Sequence, residues 1–171
     1  LTKASKLTMS AVFAALTCTA TMLIKIPVPA TQGYIHFGDA FVFLAGIFPG
    51  GFYGVIAAGA GSALADVFSG YVVYAPVTFA VKASCAIVIT IVFKKLSSRG
   101  KKFIPCLIVA GFVATLVLTI GYFVFESVLY GDGAVAEIPM NIIQGGSGIV
   151  ISCCLMPVLL KLPDIKKNIL R

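Results

Sequence analysis

Apolar residues fall into six runs along this chain, at 7–24, 38–48, 52–66, 76–93, 103–125 and 138–160, parted by turn residues or short clusters of charge. Runs of this length with so few interruptions predict membrane helices. A hydrocarbon core of about 30 Å needs about 20 residues at 1.5 Å each. The second and third runs are short by that measure, so we expect them to be tilted, broken or buried among the longer ones. Pro49-Gly50-Gly51 marks the break between them, because proline cannot donate a helix hydrogen bond and glycine tolerates a tight turn. One kinked helix over 38–66 is the competing reading. The expected fold is all-α: a polytopic membrane protein with six transmembrane helices, both termini cytoplasmic, forming a single integral-membrane substrate-binding domain over 1–171.

Composition agrees with that solvent. The chain is 60% hydrophobic and 11% charged, with mean hydropathy +1.07, whereas soluble domains run near 45–50% apolar and about 25% charged. The net charge of +7 changes the picture only through its placement. Eleven of the thirteen Lys and Arg residues fall on one side of the six-helix plan: Lys3 and Lys6, Lys94 to Lys102 with Arg99, and Lys161 to Arg171. Lys25 falls on the other side and Lys82 inside the fourth helix. This is the positive-inside pattern, not a nucleic-acid surface, and it places the chain in the cell membrane. Asp39, Asp66, Glu126, Asp132 and Glu137 then face outward, leaving Asp164 as the inner acid. The long connections at 25–37, 67–75 and 126–137 are outer as well, so function is expected at the outer face. Lys3 and Lys6 ahead of an apolar run resemble a signal peptide, but no clear small-residue cleavage site follows, and we read a retained first helix. No internal repeat is evident, which argues against an inverted-repeat transporter.

Ionisable residues within membrane helices are costly and have a reason to be there. Lys82 lies six residues past Pro76, about 9 Å into its helix, and Asp66 ends the preceding helix. A Lys82–Asp66 pair is expected, either purely structural or bordering a polar pocket in which Lys82 meets an electronegative ligand atom. Asp39 is the third buried candidate. Tyr71 and Tyr74, with Tyr34, His36 and Phe37 in the first long loop, offer faces for a flat ring or simply anchor the interface. Asn141 and Gln144 share a helix face and could bond a neighbouring helix or a ligand. Small residues at Ala57, Gly61 and Ala65, and at Ala11 and Ala15, allow close helix approach. The chain lacks a G-x-x-x-x-G-K-[S/T] phosphate loop, H-E-x-x-H and G-x-S-x-G, so it is not expected to be an enzyme or to hydrolyse ATP itself. Its five cysteines form no C-x-x-C pair and there is one histidine, so neither a metal site nor a disulfide framework is expected.

Three stretches carry a resemblance: Gly33-Tyr-Ile-His-Phe-Gly-Asp-Ala40; Ser62-Ala-Leu-Ala-Asp66 with Gly70-Tyr71; and Tyr74-Ala-Pro-Val-Thr-Phe-Ala-Val-Lys82. With the six-helix plan they resemble the substrate-binding S components of energy-coupling factor (ECF) vitamin transporters, in the branch around riboflavin, hydroxymethylpyrimidine and pyridoxine. The resemblance implies a small-molecule pocket near the outer face, closed by the first long loop. It implies partners too: a transmembrane T subunit, met by first-helix alanines at Ala11 and Ala15, and two cytoplasmic ATPases that use the ATP, so that this chain binds no cofactor. The implied pocket residues are His36, Asp39, Asp66, Tyr74, Lys82, Asn141 and Gln144. The competing functions are a stand-alone ion-coupled carrier with Asp39 or Asp66 as its proton site, and a structural membrane subunit.

Overall fold

Thr2 starts the first helix by accepting the Ser5 N–H on its hydroxyl, satisfying one of the donors a helix start leaves open. The computed structural model describes residues 2–28, 33–100 and 102–162. Its elements are α1 (Lys3–Leu23), a hairpin of β1 (Lys25–Val28) and β2 (Gly33–His36), α2 (Asp39–Ala45), α3 (Gly51–Phe68), α4 (Ala75–Ser97), α5 (Phe103–Tyr130) and α6 (Glu137–Leu159). A π-helical turn, Gly46–Gly50, leads α2 toward α3, and a 3-10 turn, Gly131–Ala136, joins α5 to α6. The six expected helices are therefore present.

The break in the 38–66 stretch settles against a single kinked helix. Gly50 and Gly51 have φ of +59° and +51°, values that a Cβ disfavours, and Pro49 sits inside the π turn just before them. The second helix is short because it is internal. Ala40, Val42, Phe43, Leu44 and Ala45 of α2 are all fully buried. Around them α1 packs on α3, α3 on α4, α4 on α5 and α5 on α6, and α2 closes the ring between α6 and α1.

Consecutive helices joined by short connections run antiparallel. One end of the bundle thus gathers the hairpin, the turn 69–74 and the 3-10 turn. The other gathers Lys3, Lys6, Lys94, Lys95, Arg99, Lys102 and Lys161; Lys101, Asp164, Lys166, Lys167 and Arg171 lie outside the described residues. The outer wall is apolar, with Phe112, Ile120, Val124 and Val128 of α5 exposed, a surface suited to lipid and not to water. Four helical stretches, two of them containing the breaks just described, are long and apolar enough to cross a membrane.

The connection at 25–37, expected as a loop, holds the hairpin. Its antiparallel register pairs Lys25 with His36, Ile26 with Ile35 and Pro27 with Tyr34. Pro27 is tolerated because a two-stranded ribbon leaves each strand with an unpaired edge. Successive strand residues point to opposite faces, so Tyr34 and His36 share one face.

Because lipid supplies no hydrophobic drive between helices, close packing of small residues matters more. Ala57, Gly61 and Ala65 are buried as expected. At Gly61 an added Cβ would lie 2.5 Å from the Ala14 carbonyl oxygen of α1. Ala11 and Ala15 are instead exposed on the outside of α1. Gly61→Ala is expected to lower the unfolding temperature in detergent, from an overpacking cost of about 1–3 kcal/mol. Gly146→Ala, whose Cβ would meet nothing within 4 Å, is the matched control and should hold or slightly raise it.

Candidate functional site

Lys82 of α4 and Asp39 in the first turn of α2 are both fully buried and form an ion pair, Nζ to Oδ1 at 2.5 Å. The second Asp39 oxygen accepts from Gln144 Nε2 of α6 at 2.8 Å. Gln144 Oε1 in turn accepts the His36 backbone N–H at 2.9 Å. One network therefore ties α4, α2, α6 and β2 together. The expected Lys82–Asp66 pair is corrected by this geometry. Asp66 sits near the end of α3, facing the hairpin, and accepts the Tyr34 hydroxyl at 2.6 Å. Asp39 stands nearer because α2 runs through the centre of the bundle, directly beside α4.

Above this network, at the hairpin end, lies a narrow polar cleft of about 20 Å³, far below the roughly 300–1,000 Å³ of small-molecule sites, so a ligand needs the hairpin to move before it can enter. Tyr34, His36, Asp66, Tyr74, Thr78, Tyr122, Glu126, Glu137, Asn141 and Gln144 line it. Tyr122 donates to the Thr78 hydroxyl at 3.0 Å, and Tyr74 to Glu126 at 3.4 Å. The Tyr34 ring lies 4.6 Å from that of Tyr71, with Lys25 Nζ 5.8 Å from its centroid. Burial and the neighbouring Asp66 charge hold the Tyr34 phenol well above its usual pKa, so it remains a donor.

His36 Nδ1 accepts the Gly38 N–H at 3.0 Å, which assigns the ring proton to Nε2 in the neutral form. Burial, reinforced by the Lys82 charge, pushes its pKa down to about 3.

Of the residues expected from sequence, His36, Asp66, Tyr74, Asn141 and Gln144 come together around the cleft. Asp39 and Lys82 lie behind its wall, Lys82 Nζ being 5.4 Å from the Tyr122 ring centroid. Thr78, Tyr122, Glu126 and Glu137 were not among the expected site residues. Their signal was periodic: Tyr122 and Glu126, or Glu137, Asn141 and Gln144, recur at the spacing of one helix face. No group of three or more His, Cys, Asp or Glu among the described residues is arranged to hold a metal ion.

The family model described as "ECF-type riboflavin transporter, S component" matches residues 2–161. The chain belongs to this family. As an S component it belongs to a family of transporter subunits for vitamin uptake and not to an enzyme family, and S components work with T and ATPase modules. A protein from Pyrococcus woesei described as an uncharacterized protein in a gap 3′ region is 38% identical over 132 residues, covering 77% of this chain and 85% of that protein. The structure titled "Structure and mechanism of the S component of a bacterial ECF transporter" has TM-score 0.70 and 26% identity, covering 94% of this chain and 98% of the other. A biotin S component from an ECF-type ABC transporter shares the fold, with TM-score 0.76 at 19% identity over 98% and 96% of the two chains.

Two outcomes follow for this S component. Lys82→Met leaves Asp39 charged and unpaired, and should cost about 3–5 kcal/mol; Asp39→Asn in the same background should restore most of the loss. Unfolding in detergent checks both, and an unchanged midpoint for Lys82→Met alone would show that the pair is dispensable. For His36 the folded pKa lies below the free value of 6.5, so folding excludes a proton. Its contribution is present above pH 6.5 and is lost progressively as pH falls toward about 3, at up to about 1.4 kcal/mol per unit. The wild type should therefore lose stability more steeply than His36→Asn across that window.

Proposed function

We propose that this chain is the substrate-binding subunit of an ATP-driven ECF importer in the cell membrane, crossing the bilayer six times as a single domain with both termini cytoplasmic. It captures a small heteroaromatic vitamin or precursor at the outer face, with the hydroxymethylpyrimidine or pyridoxine class favoured and riboflavin the remaining candidate. A transmembrane T subunit and two cytoplasmic ATPases complete the importer and use the ATP, and the chain itself carries no cofactor. The observation that carries this reading is the cleft of tyrosines and buried polar groups under a hairpin, at the end of the bundle opposite the basic clusters.

In this scheme the tyrosines stack on the ring, and His36, Asp66, Tyr74, Asn141 and Gln144 touch it directly. Lys82 and Asp39 act from beneath by fixing Gln144. The hairpin covers the cleft, and its outward swing, breaking the Tyr34–Asp66 and His36–Gln144 hydrogen bonds, admits the ligand. Ala11 and Ala15, exposed on α1, are the positions proposed to meet the T subunit. Family membership does not favour the stand-alone carrier, and Asp39, held by Lys82 and Gln144, is poorly placed to exchange a proton.

The test is purification in mild detergent with mass spectrometry of the retained ligand, alongside co-purification of the T subunit and ATPases. A flat vitamin in the preparation is expected. Ala15→Trp should abolish ATP-dependent uptake while leaving ligand binding within about twofold. Failure to bind any heteroaromatic vitamin, or uptake without ATPases that an uncoupler abolishes, overturns the reading.

A further inference from the structure

The cleft gathers more carboxyl groups than vitamin binding in general requires. Asp66, Glu126 and Glu137 all line it and are 4%, 2% and 3% exposed. None of the described lining residues is a lysine or arginine. Among the described residues the one buried lysine, Lys82, is engaged by Asp39 behind the wall. Lys25, itself exposed, reaches over the Tyr34 ring but is not among the residues lining the cleft.

An acidic cluster alone does not define a ligand, but the cleft holds a separate mark. Asn141 Nδ2, on a side chain 4% exposed, has no hydrogen-bond partner, and the same is true of Asp66 Oδ2 and Glu126 Oε2. Buried amide donors and carboxylate oxygens are normally satisfied. Here a donor seeking an acceptor and acceptors seeking donors face one small space. Glu126 lies one helical turn past Tyr122 on α5, and Glu137 lies one turn before Asn141 on α6, so the acids and the amide are fixed on packed helices and not on the hairpin.

Taking the S-component reading as its basis, we infer that the cleft selects a flat nitrogen heterocycle carrying an amino group beside a ring nitrogen. Glu126 and Glu137 receive the amino hydrogens or a ring positive charge, and Asn141 donates to a ring nitrogen. An asparagine amide matches such an adjacent donor and acceptor, as it does on an adenine edge. A ring with carbonyl oxygens at that edge would set acceptor against carboxylate and leave Glu126 without a donor. A donor-rich edge also supplies the Glu126 Oε2 atom with the donor it lacks and offsets the repulsion between the two neighbouring glutamates. The specificity residues are therefore Glu126, Glu137 and Asn141, two of which lie outside the set expected from sequence.

The experiment is titration calorimetry of the detergent-purified full chain with an aminopyrimidine bearing a hydroxymethyl group and with the same pyrimidine carrying an oxo group in place of the amino group. Riboflavin and pyridoxine complete the panel. The amino compound is expected to bind at least about a hundredfold tighter than its oxo analogue, because a site built around a hydrogen-bonding group rejects ligands that lack it. Glu126→Gln and Glu137→Gln should each weaken the amino compound by at least about tenfold while tightening the oxo analogue, a reversal that general damage to the fold would not produce. Their unfolding midpoints should hold or rise as the repulsion is removed. Equal or tighter binding of the oxo analogue, or tight riboflavin or pyridoxine binding unaffected by either glutamine, overturns this assignment and leaves the S-component reading intact. Binding of no panel member overturns both.

Discussion

A charged amine cannot remain alone in the middle of an apolar helical bundle, and the placement of Lys82 governs much of this structure. Its partner must be close, correctly oriented and equally buried, because the desolvation of both ions is recovered only through short, well-formed contacts. Asp39 meets that demand because α2, the shortest of the six helices, is packed inside the bundle against α1, α3, α4 and α6. Gln144 then completes the second carboxylate oxygen and carries the constraint to α6, and through the His36 backbone to the hairpin. The floor of the cleft is consequently tied to four elements at once, α2, α4, α6 and β2.

The mouth is built differently. It is joined by side-chain hydrogen bonds such as Tyr34 to Asp66 and Tyr74 to Glu126. Such contacts can be exchanged for contacts to a ligand without exposing an ion pair. A rigid base under an exchangeable cover is the division of labour a binding subunit needs: orientation comes from packed helices, and access from a two-stranded ribbon with few neighbours.

Much of this was legible in the sequence, and the exceptions have physical causes. The apolar runs gave all six helices, and Pro49-Gly50-Gly51 gave the break, because local chemistry decides both. Lys82 stood out as a charge in an apolar helix, yet its partner was misread. Asp66 is near in sequence, whereas Asp39, 43 positions away, becomes the neighbour only through the threading of α2. The hairpin lay within the 25–37 connection, read from sequence only as a long loop, although Ile26, Val28 and Ile35 suit a strand. Glu126 and Glu137 were visible as outward acids, but their convergence with Asn141 depends on how α5 and α6 pack, which no local pattern encodes.

The length of α5 has a consequence for where recognition takes place. Its 28 residues extend about 42 Å at 1.5 Å each, some 12 Å more than a hydrocarbon slab of about 30 Å. Tilt absorbs part of such mismatch, and the remainder stands in the headgroup layer. Glu126, four residues from the end of α5, and Glu137, which opens α6 after the 3-10 turn, belong to that overhang. The two carboxyl groups therefore sit in a collar raised above the acyl chains, yet both are buried within the bundle, at 2% and 3% exposure. Under the proposed function, a solute reaching the cleft would meet these groups before it entered any hydrocarbon.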